Sequence, residues 1–131
     1  MYRRIVVGVA KSESSARAVE VAIDLAQRYD AHLHLVMAFE RSRGAPVGDA
    51  RDEAETHLSR IGAACPVDVS THAVPGDPAA SVVRIADEVD ADLVVVGNQG
   101  MKGTARRVLG SIPNTIAHSA PCSVLIVDTT G

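Results

Sequence analysis

The sequence predicts an α/β fold of three layers, in which helices cover both faces of an open parallel sheet. Short apolar runs of strand length alternate along the chain with amphipathic stretches of helical period, as is typical of βαβ units. The first, fourth and fifth runs are apolar throughout, as parallel strands covered on both faces are. The length of 131 residues fits a single domain over residues 1–131.

The first part of the chain predicts a strand, a helix, a second strand and a loop. Residues 5–9 are a continuous apolar run of strand length. Residues 14–29 repeat apolar side chains at helical spacing, with charged residues on the other faces. Residues 32–38 predict the second strand, and the polar residues 40–48, which contain Gly and Pro, predict a loop.

A second helix and a third strand are predicted next. The inward face of the helix would consist of Ala50, Ala54, Leu58 and Ile61. Gly62 is placed to end this helix, because glycine readily takes the left-handed conformation that follows helix C-termini. A half-exposed third strand is indicated where Val67, Val69 and Thr71 alternate with polar residues.

The last part of the chain predicts two helices and two strands. Asp77 is expected to cap the third helix, and Pro78 to occupy its first position. The core face of that helix would consist of Val82, Ile85, Ala86 and Val89. Residues 93–96 and 123–127 predict the fourth and fifth strands. Between them, residues 110–113 begin a further helix, with Ser111 as its expected N-cap.

Composition argues against two classes of partner, nucleic acids and membranes. The net charge of −3 argues against nonspecific nucleic-acid binding, whose affinity comes mostly from neutralising phosphates. With no Trp, one Phe and two Tyr, the chain also has few rings to stack on bases. No apolar stretch approaches the roughly 18 residues of a membrane span. The first apolar run is too short for the core of a signal peptide, so we expect a cytoplasmic protein.

Cysteine and histidine residues do not predict a metal centre. Cys65 and Cys122 lie far apart, and a zinc site needs about four ligands at short spacings. His32 and His34 alternate on the predicted second strand and would share a face, which is the one hint of a metal pair. Exposed strand histidines are the simpler interpretation. We therefore expect no metal ligands, and two free thiols that act as small apolar residues.

A glycine-rich stretch after the fourth strand carries the most specific functional signal. It includes Gly97, Gly100 and Gly103, and it leads to Gly110, where the next helix is expected to begin. Glycine lets backbone N–H groups approach a ligand closely, and the N-terminus of a helix favours an anion. The stretch therefore predicts an anion site, although glycines that follow a strand often form only a turn.

The charge pattern of this stretch favours a phosphate. Residues 97–117 contain no Asp or Glu, whereas Lys102, Arg106 and Arg107 are basic. This stretch is therefore positively charged in a chain that is acidic as a whole. The Walker A pattern G-x-x-x-x-G-K-[ST] is absent, and G-x-G-x-x-G does not follow the first strand. A Walker A loop and a dinucleotide fingerprint are therefore excluded.

The spacing Gly97-x2-Gly100-x9-Gly110-Ser111 lies after the fourth strand of a chain with five α/β units. In this spacing, in the opening apolar strand and in residues 121–127, the chain resembles the ATP-binding branch of the universal stress protein family. The resemblance covers nearly the whole chain. It implies a Rossmann-like sheet of five parallel strands in the order 3-2-1-4-5, of the adenine nucleotide alpha hydrolase-like type, with the nucleotide at the carboxyl ends of the strands.

The resemblance also implies a set of nucleotide-binding residues. Val9, position 10 and Ala38 at the end of the second strand would flank the adenine. The ribose and phosphates would be wrapped by Gly97, Asn98, Gly100, Met101, Lys102 and Gly103. The start of the next helix would hold the terminal phosphates through Gly110, Ser111, Ile112 and Pro113. The ligand would be ATP, alone or with Mg²⁺, or cyclic AMP, which some relatives bind.

Position 10 departs from the family pattern. Relatives usually carry an Asp there that faces the nucleoside, whereas this chain has Ala10, whose side chain cannot accept a hydrogen bond. A lost neutral hydrogen bond costs on the order of 1 kcal/mol. Lys11 would either reach the phosphates or extend into solvent. The phosphate half of the expected site is complete, and the nucleoside half lacks one contact.

Three classes of function remain open. The first is a stress-response protein that binds an adenine nucleotide with little or no hydrolysis, because the glycine-rich stretch has no carboxylate to hold a metal. The alternative is a nucleotide-free, dimeric interaction protein of the same fold, which Ala10 favours. The third is a flavin or electron-transfer domain. The sequence supports this class less well, because no aromatic residue is placed to stack on the flavin ring.

The last strand predicts a homodimer. In the order 3-2-1-4-5, strands three and five are the edges of the sheet. Polar residues interrupt strand three, namely Asp68, Ser70 and His72, whereas strand five is apolar without interruption at Val124, Leu125, Ile126 and Val127. An unprotected apolar edge favours pairing with a second chain. We expect no nucleic-acid partner and no membrane partner.

Overall fold

The computed structural model of the protein describes residues 1–11, 13–40, 47–98 and 109–129. Strands and helices alternate within these residues, as the sequence predicts. In chain order the elements are β1 Arg4–Gly8, α1 Glu13–Tyr29, β2 His32–Phe39, α2 Val47–Ala64, β3 Val69–Pro75, α3 Pro78–Glu88, β4 Leu93–Gly97, α4 Ser111–Ser119 and β5 Ser123–Val127.

The five strands form one parallel sheet in the order β3-β2-β1-β4-β5. The predicted strand order is therefore confirmed. β1 lies at the centre of the sheet, where Ile5 is in register with Leu33 of β2 on one side and with Leu93 of β4 on the other. Because β2 and β4 flank β1, the chain winds in opposite directions from the centre. The carboxyl ends of β1 and β4 therefore lie at the point of the sheet where open α/β folds bind ligands.

Helices cover both faces of the sheet. On one face, Ile5 and Val7 belong to the core cluster that includes residues of α1 and α2. On the other face, Val6 packs with residues of α3 and α4. Alternate side chains of β1 thus enter opposite halves of the core, and Ile5, Val6 and Val7 have no exposed surface. This two-sided burial explains why the central strands are apolar throughout.

Asp77 and Pro78 begin α3 as predicted. The Asp77 carboxylate accepts a hydrogen bond from the N–H of Ala80 at 2.9 Å, which satisfies one of the free donors of the first turn. Pro78 occupies the start of the helix, where its missing N–H costs little. The Ser81 hydroxyl adds a bond by donating to the Asp77 carbonyl at 2.7 Å. These contacts fix the end of α3 that faces the crevice.

The prediction that Gly62 ends the second helix is wrong. α2 runs from Val47 to Ala64, so Gly62 lies within its last turn. A Cβ at position 62 would stand 3.5 Å from Cγ1 of Val69, which is ordinary contact distance. Gly62 therefore faces β3 at a distance where a methyl group would also fit, so the packing does not require a glycine at this position.

Other element boundaries differ from the prediction by a few residues. β3 begins at Val69 and extends to Pro75, so Val67 precedes the strand, although it still packs against the core. β1 ends at Gly8, one residue before Val9. Within the predicted loop of residues 40–48, α2 already begins at Val47, and residues 41–46 lie outside the described residues.

The two cysteines are not joined in a disulfide. Cys65 and Cys122 are half-buried free thiols, and burial raises the pKa of both. Such thiols are poor nucleophiles, because the thiolate is the reactive form.

In the part of the chain that the structure describes, no helix has the length and apolar character to cross a membrane.

Candidate functional site

A cleft of about 430 Å³ opens at the carboxyl edge of the sheet. Its floor is formed by the ends of the three central strands, with residues 8–11, 36–40, 96 and 97. Its walls come from four helices: Ser15 of α1, Ala50, Glu53 and Ala54 of α2, Pro78 and Val82 of α3, and Ile112 and Ile116 of α4. The cleft lies where the winding of the chain reverses, which is where open α/β sheets bind ligands.

The end of the cleft over β2 is apolar. Met37 and Phe39 are buried in the core, and Ala38 between them is half-buried. Val9 stays attached to β2 after β1 has ended, because its N–H donates to the carbonyl of Val36 at 2.8 Å. The result is an apolar floor whose backbone is held firmly by the sheet. Such a floor suits a flat ring with an apolar face.

The opposite end of the cleft reaches the first turn of α4 at Ile112. Gly110 is the N-cap residue, with extended backbone at φ −61° and ψ 161°, and its carbonyl accepts from the N–H of Asn114 at 3.0 Å. Ser111 is the first residue of the helix, so its prediction as the N-cap is wrong. The N–H groups of Ser111 and Ile112 have no carbonyl partner within α4, because they lie in its first turn. This end of the cleft favours an anion.

Two residues that line the cleft form an ion pair. The ammonium of Lys11, which follows β1, contacts the carboxylate of Glu53 on α2. The hydrogen bond and charge of Lys11 hold the pKa of the Glu53 carboxyl below its usual range. Behind this pair, the N–H of Ala10 donates to the hydroxyl of Ser15 at 2.7 Å and anchors the loop to α1.

The predicted nucleotide-binding residues fall into three groups. The residues that line the cleft are Val9, Ala10, Ala38, Gly97 and Ile112. The residues that are described but do not line it are Asn98, Gly110, Ser111 and Pro113. Gly100, Met101, Lys102 and Gly103 lie outside the described residues. The structure thus brings the predicted adenine side and the start of α4 to one cleft, although they are far apart in the sequence.

Asn98 binds the end of β5 with its side chain. Its Nδ2 donates to the carboxylate of Asp128 at 3.2 Å, and its Oδ1 accepts from the N–H of Thr129 at 3.0 Å. Its own N–H donates to the carbonyl of Val127 at 3.1 Å. Asn98 is buried among these partners. A contact of Asn98 with a ligand stays a prediction, and its amide is already engaged by the segment after β5.

The wall that α2 contributes is absent from the sequence-based prediction. Ala50 and Ala54 are recognised as inward-facing, but Glu53 is not, although residues three apart share a helix face. The first turns of α2 line the cleft with this face, and Ala50 and Ala54 on the same face also pack in the core. In the sequence, Glu53 could have been recognised by its position on the same helix face as the inward alanines. Its place in the cleft becomes evident only from the way α2 packs in the structure.

Three histidines meet on the sheet face that carries α3 and α4. Nδ1 of His34 lies 3.0 Å from Nε2 of His72, and Nε2 of His32 lies 2.7 Å from the hydroxyl of Ser70. His34 is only 8% exposed, so the expectation of exposed strand histidines is wrong for it. Burial lowers the pKa of His34 to about 4 and also lowers that of His72. Among the described residues, no group of three or more His, Cys, Asp or Glu is arranged to hold a metal ion.

Comparison with known proteins supports a family assignment. Residues 1–128 match the universal stress protein family. A universal stress protein from Mycobacterium tuberculosis is 35% identical, over 98% of this chain and 98% of that protein. A universal stress protein from Methanocaldococcus jannaschii is 28% identical, over 97% of this chain and 82% of that protein.

Solved structures give the same result for the fold. The crystal structure of a universal stress protein in complex with cAMP has a TM-score of 0.82 and is 34% identical, covering 98% of this chain and 99% of that one. The structure of a universal stress protein from Archaeoglobus fulgidus has a TM-score of 0.75 at 23% identity, covering 96% of this chain and 98% of that one. The chain described above belongs to the universal stress protein family.

Proposed function

We propose that this protein binds an adenine nucleotide, ATP or cyclic AMP, in the cleft and acts in a stress-response or regulatory role. The observation that carries the proposal is one continuous cleft that joins an apolar end over β2 to the N-terminus of α4. A nucleotide has the same polarity, with a flat base at one end and an anion at the other. The similar protein solved in complex with cAMP gives further support.

The adenine belongs at the apolar end in this proposal. Val9, Ala10 and Ala38 would flank the ring, above the buried side chains of Met37 and Phe39. Small side chains at positions 10 and 38 leave room for a planar group between the strand ends. Burying apolar surface stabilises the complex by about 25 cal/mol per Å² before the costs of association are subtracted.

The phosphates belong at the start of α4. The N–H groups of Ser111 and Ile112 would bind them, aided by the partial positive charge of the helix end. Gly97 and Gly110 let the backbone pass close to the ligand. The proposed phosphate site is completed by Asn98, Gly100, Met101, Lys102, Gly103 and Pro113. Because residues 97–117 contain no Asp or Glu, no carboxylate in this stretch would repel the phosphates.

We propose that the site hydrolyses ATP slowly or not at all. Residues 97–117 offer no carboxylate to hold Mg²⁺, so an ion that accompanies ATP would be held by phosphates and water. Glu40 and Glu53 line the cleft, but the Glu53 carboxylate is engaged by Lys11. Turnover should fall far below the roughly 1–10³ s⁻¹ of typical enzymes. Phosphate release at about 1 s⁻¹ that Ser111→Ala abolishes would contradict this.

A nucleotide-free interaction protein of the same fold is the second candidate. Two observations favour it: Ala10 brings no polar side chain to the cleft, and Lys11 and Glu53 already satisfy each other without a ligand. In this alternative, the function would depend on a dimer formed through β5 and on the surfaces that the dimer presents.

Two measurements on the purified protein distinguish the candidates. Small molecules released on denaturation are identified by mass spectrometry, and ATP, cAMP and inorganic tripolyphosphate are titrated by calorimetry. We expect release of an adenine nucleotide, and binding of ATP or cAMP at least tenfold tighter than that of tripolyphosphate, since tripolyphosphate cannot use the apolar end. If neither ATP nor cAMP is released or bound, the nucleotide proposal is wrong and the interaction protein is favoured.

A further inference from the structure

We propose that Glu53 recognises the ribose of the bound nucleotide by accepting a hydrogen bond from a ribose hydroxyl. The cleft would then select ribonucleotides over nucleotides that lack the hydroxyl. This inference rests on the proposed function, because it assigns the middle of the same cleft. It gives α2 a direct role in ligand specificity, although α2 carries no recognisable nucleotide-binding motif.

The position of Glu53 follows from the strand order. β1 lies between β2 and β4 in the sheet, and Lys11 follows β1 shortly after its last residue. Contact with Lys11 brings the Glu53 carboxylate, on a helix that packs over β2 and β3, toward the end of the central strand β1. The apolar end lies to one side over β2, and the start of α4 lies to the other side beyond β4. In a nucleotide the ribose joins the base to the phosphates, so the ribose would lie at this central position.

Few other side chains in the described cleft can accept a hydrogen bond from a ribose. Its only carboxylates are those of Glu40 and Glu53 among the residues that the structure describes. Glu40 directly follows β2, at the end where the base would lie. Ala10 has no polar side chain, and the hydroxyl of Ser15 already accepts from the N–H of Ala10. A carboxylate is the usual partner of a ribose hydroxyl in dinucleotide-binding α/β folds, which makes Glu53 the best-placed acceptor.

The chemistry of the ion pair suits this role. An ionised carboxylate only accepts hydrogen bonds, and bonds to a charged acceptor are about twice as strong as neutral ones. Contact with Lys11 favours the ionised form of Glu53. Lys11 also compensates the negative charge near the phosphates of the ligand. Both side chains are substantially exposed, 49% for Lys11 and 67% for Glu53, so the pair can adjust to a ligand at little cost.

The test measures how strongly the protein prefers a ribose hydroxyl. Calorimetry compares ATP with 2′,3′-dideoxyATP, and cAMP with 2′-deoxy-cAMP, for the wild type and for each variant. We expect the wild type to bind the ribonucleotide of at least one pair about tenfold more tightly than its deoxy analogue. In Glu53→Ala this ratio should fall to within about twofold, and Glu53→Gln, which keeps an oxygen acceptor, should retain part of the preference.

The control is Glu55→Ala. Glu55 is exposed on the same helix and does not line the cleft, so its removal changes the charge of α2 by the same amount without touching the site. We expect its ribose preference to equal that of the wild type. Thermal melts confirm that each variant is folded.

The outcomes separate this inference from the proposed function. If the wild type binds ATP or cAMP but does not distinguish either from its deoxy analogue, the role of Glu53 is wrong and nucleotide binding stands. The same conclusion follows if Glu53→Ala keeps the full preference. If neither ATP nor cAMP binds, the proposed function and the role of Glu53 both fail.

Discussion

At the scale of single residues, the polar groups of the cleft come from positions that are distant in the sequence. Lys11 and Glu53 are 42 residues apart, yet both line the cleft and their side chains are in contact. Neither belongs to the glycine-rich pattern from which the sequence predicts a phosphate site. A motif search along the chain finds residues that share one loop, such as Gly97 and Gly100. It does not find a pair whose proximity depends on how α2 packs against the sheet.

Gly110→Val is expected to lower the affinity for an adenine nucleotide at least tenfold, on the order of 1.4 kcal/mol. Gly110 has an extended backbone that any residue can adopt, with φ −61° and ψ 161°, so conformational strain is not the cause. The loss would arise because a branched side chain at the N-cap obstructs the approach of phosphate to the N–H groups of Ser111 and Ile112. Gly100→Val, in the same glycine-rich pattern, is expected to act in the same direction.

Calorimetry with ATP and cAMP measures this loss. Gly48→Val is the matched control, because nothing lies within 4 Å of a Cβ built at position 48 of α2 and the residue does not line the cleft. Binding by Gly110→Val that equals binding by the wild type would mean that residues 97–110 form only a turn.

At the scale of secondary-structure elements, the sequence predicts strands better than it predicts helix ends. The bounds of β5 are as predicted, and β4 differs by one residue, because an uninterrupted apolar run is what a buried parallel strand requires. Helix ends depend on local geometry that the pattern does not contain. Gly62 lies inside α2, which continues to Ala64, and the N-cap of α4 is Gly110 instead of Ser111.

The pairing of β2 with β3 brings two histidines into contact, which no pattern in the sequence predicted. Val36 is in register with His72, and the neighbouring His34 contacts the same ring at 3.0 Å. Two neutral imidazoles can share this hydrogen bond, since one nitrogen donates and the other accepts. When both rings are protonated, both nitrogens carry a hydrogen and the bond is lost. The contact between β2 and β3 should therefore be sensitive to acid.

The free energy of unfolding is expected to fall as the pH is lowered from about 6.5 toward 4. Burial and the nearby positive charges of His32, His72 and Arg4 lower the pKa of His34 in the folded protein from 6.5 to about 4. The unfolded chain therefore binds a proton at a higher pH than the folded protein. The stabilisation from neutral His34 is complete above pH 6.5 and is lost as the pH falls toward 4. We expect a loss of about 1–3 kcal/mol.

Urea unfolding between pH 7 and pH 4 measures this dependence. His34→Gln should flatten the slope of the free energy of unfolding against pH, because it removes the group that titrates. His118→Gln is the control, since His118 is exposed on α4, and it should leave the slope unchanged. A slope in His34→Gln equal to that of the wild type would show that other groups cause the acid sensitivity.

At the scale of the whole molecule, one sheet connects the cleft to an edge strand. Gly97 lines the cleft, and the next residue, Asn98, bonds to the carbonyl of Val127 and to the residues after β5. Removing the Asn98 side-chain amide would break its hydrogen bonds to Asp128 and Thr129 and so weaken this connection. The floor of the cleft and the end of β5 are therefore parts of one hydrogen-bonded unit.

The homodimer stays a prediction, and β5 is the strand on which we expect it. In the described sheet, β5 pairs with β4 and forms one edge. Leu125 is 37% exposed on this strand, and Val124 and Ile126 are half-buried. A second chain that paired with this edge would remove these apolar side chains from water and would satisfy the free backbone groups. We therefore expect a mass of about twice 13.7 kDa by light scattering at micromolar concentration.

Leu125→Lys is expected to convert the dimer to a monomer, because an interface on β5 would have to bury an unpaired charge. Thr71→Lys is the control, since Thr71 is an exposed residue on β3, the opposite edge of the sheet, and its mass should equal that of the wild type. A wild-type mass near 13.7 kDa would contradict the dimer itself. A dimer that dissociates in Thr71→Lys but persists in Leu125→Lys would instead place the interface at β3, where alternating polar residues made it less expected.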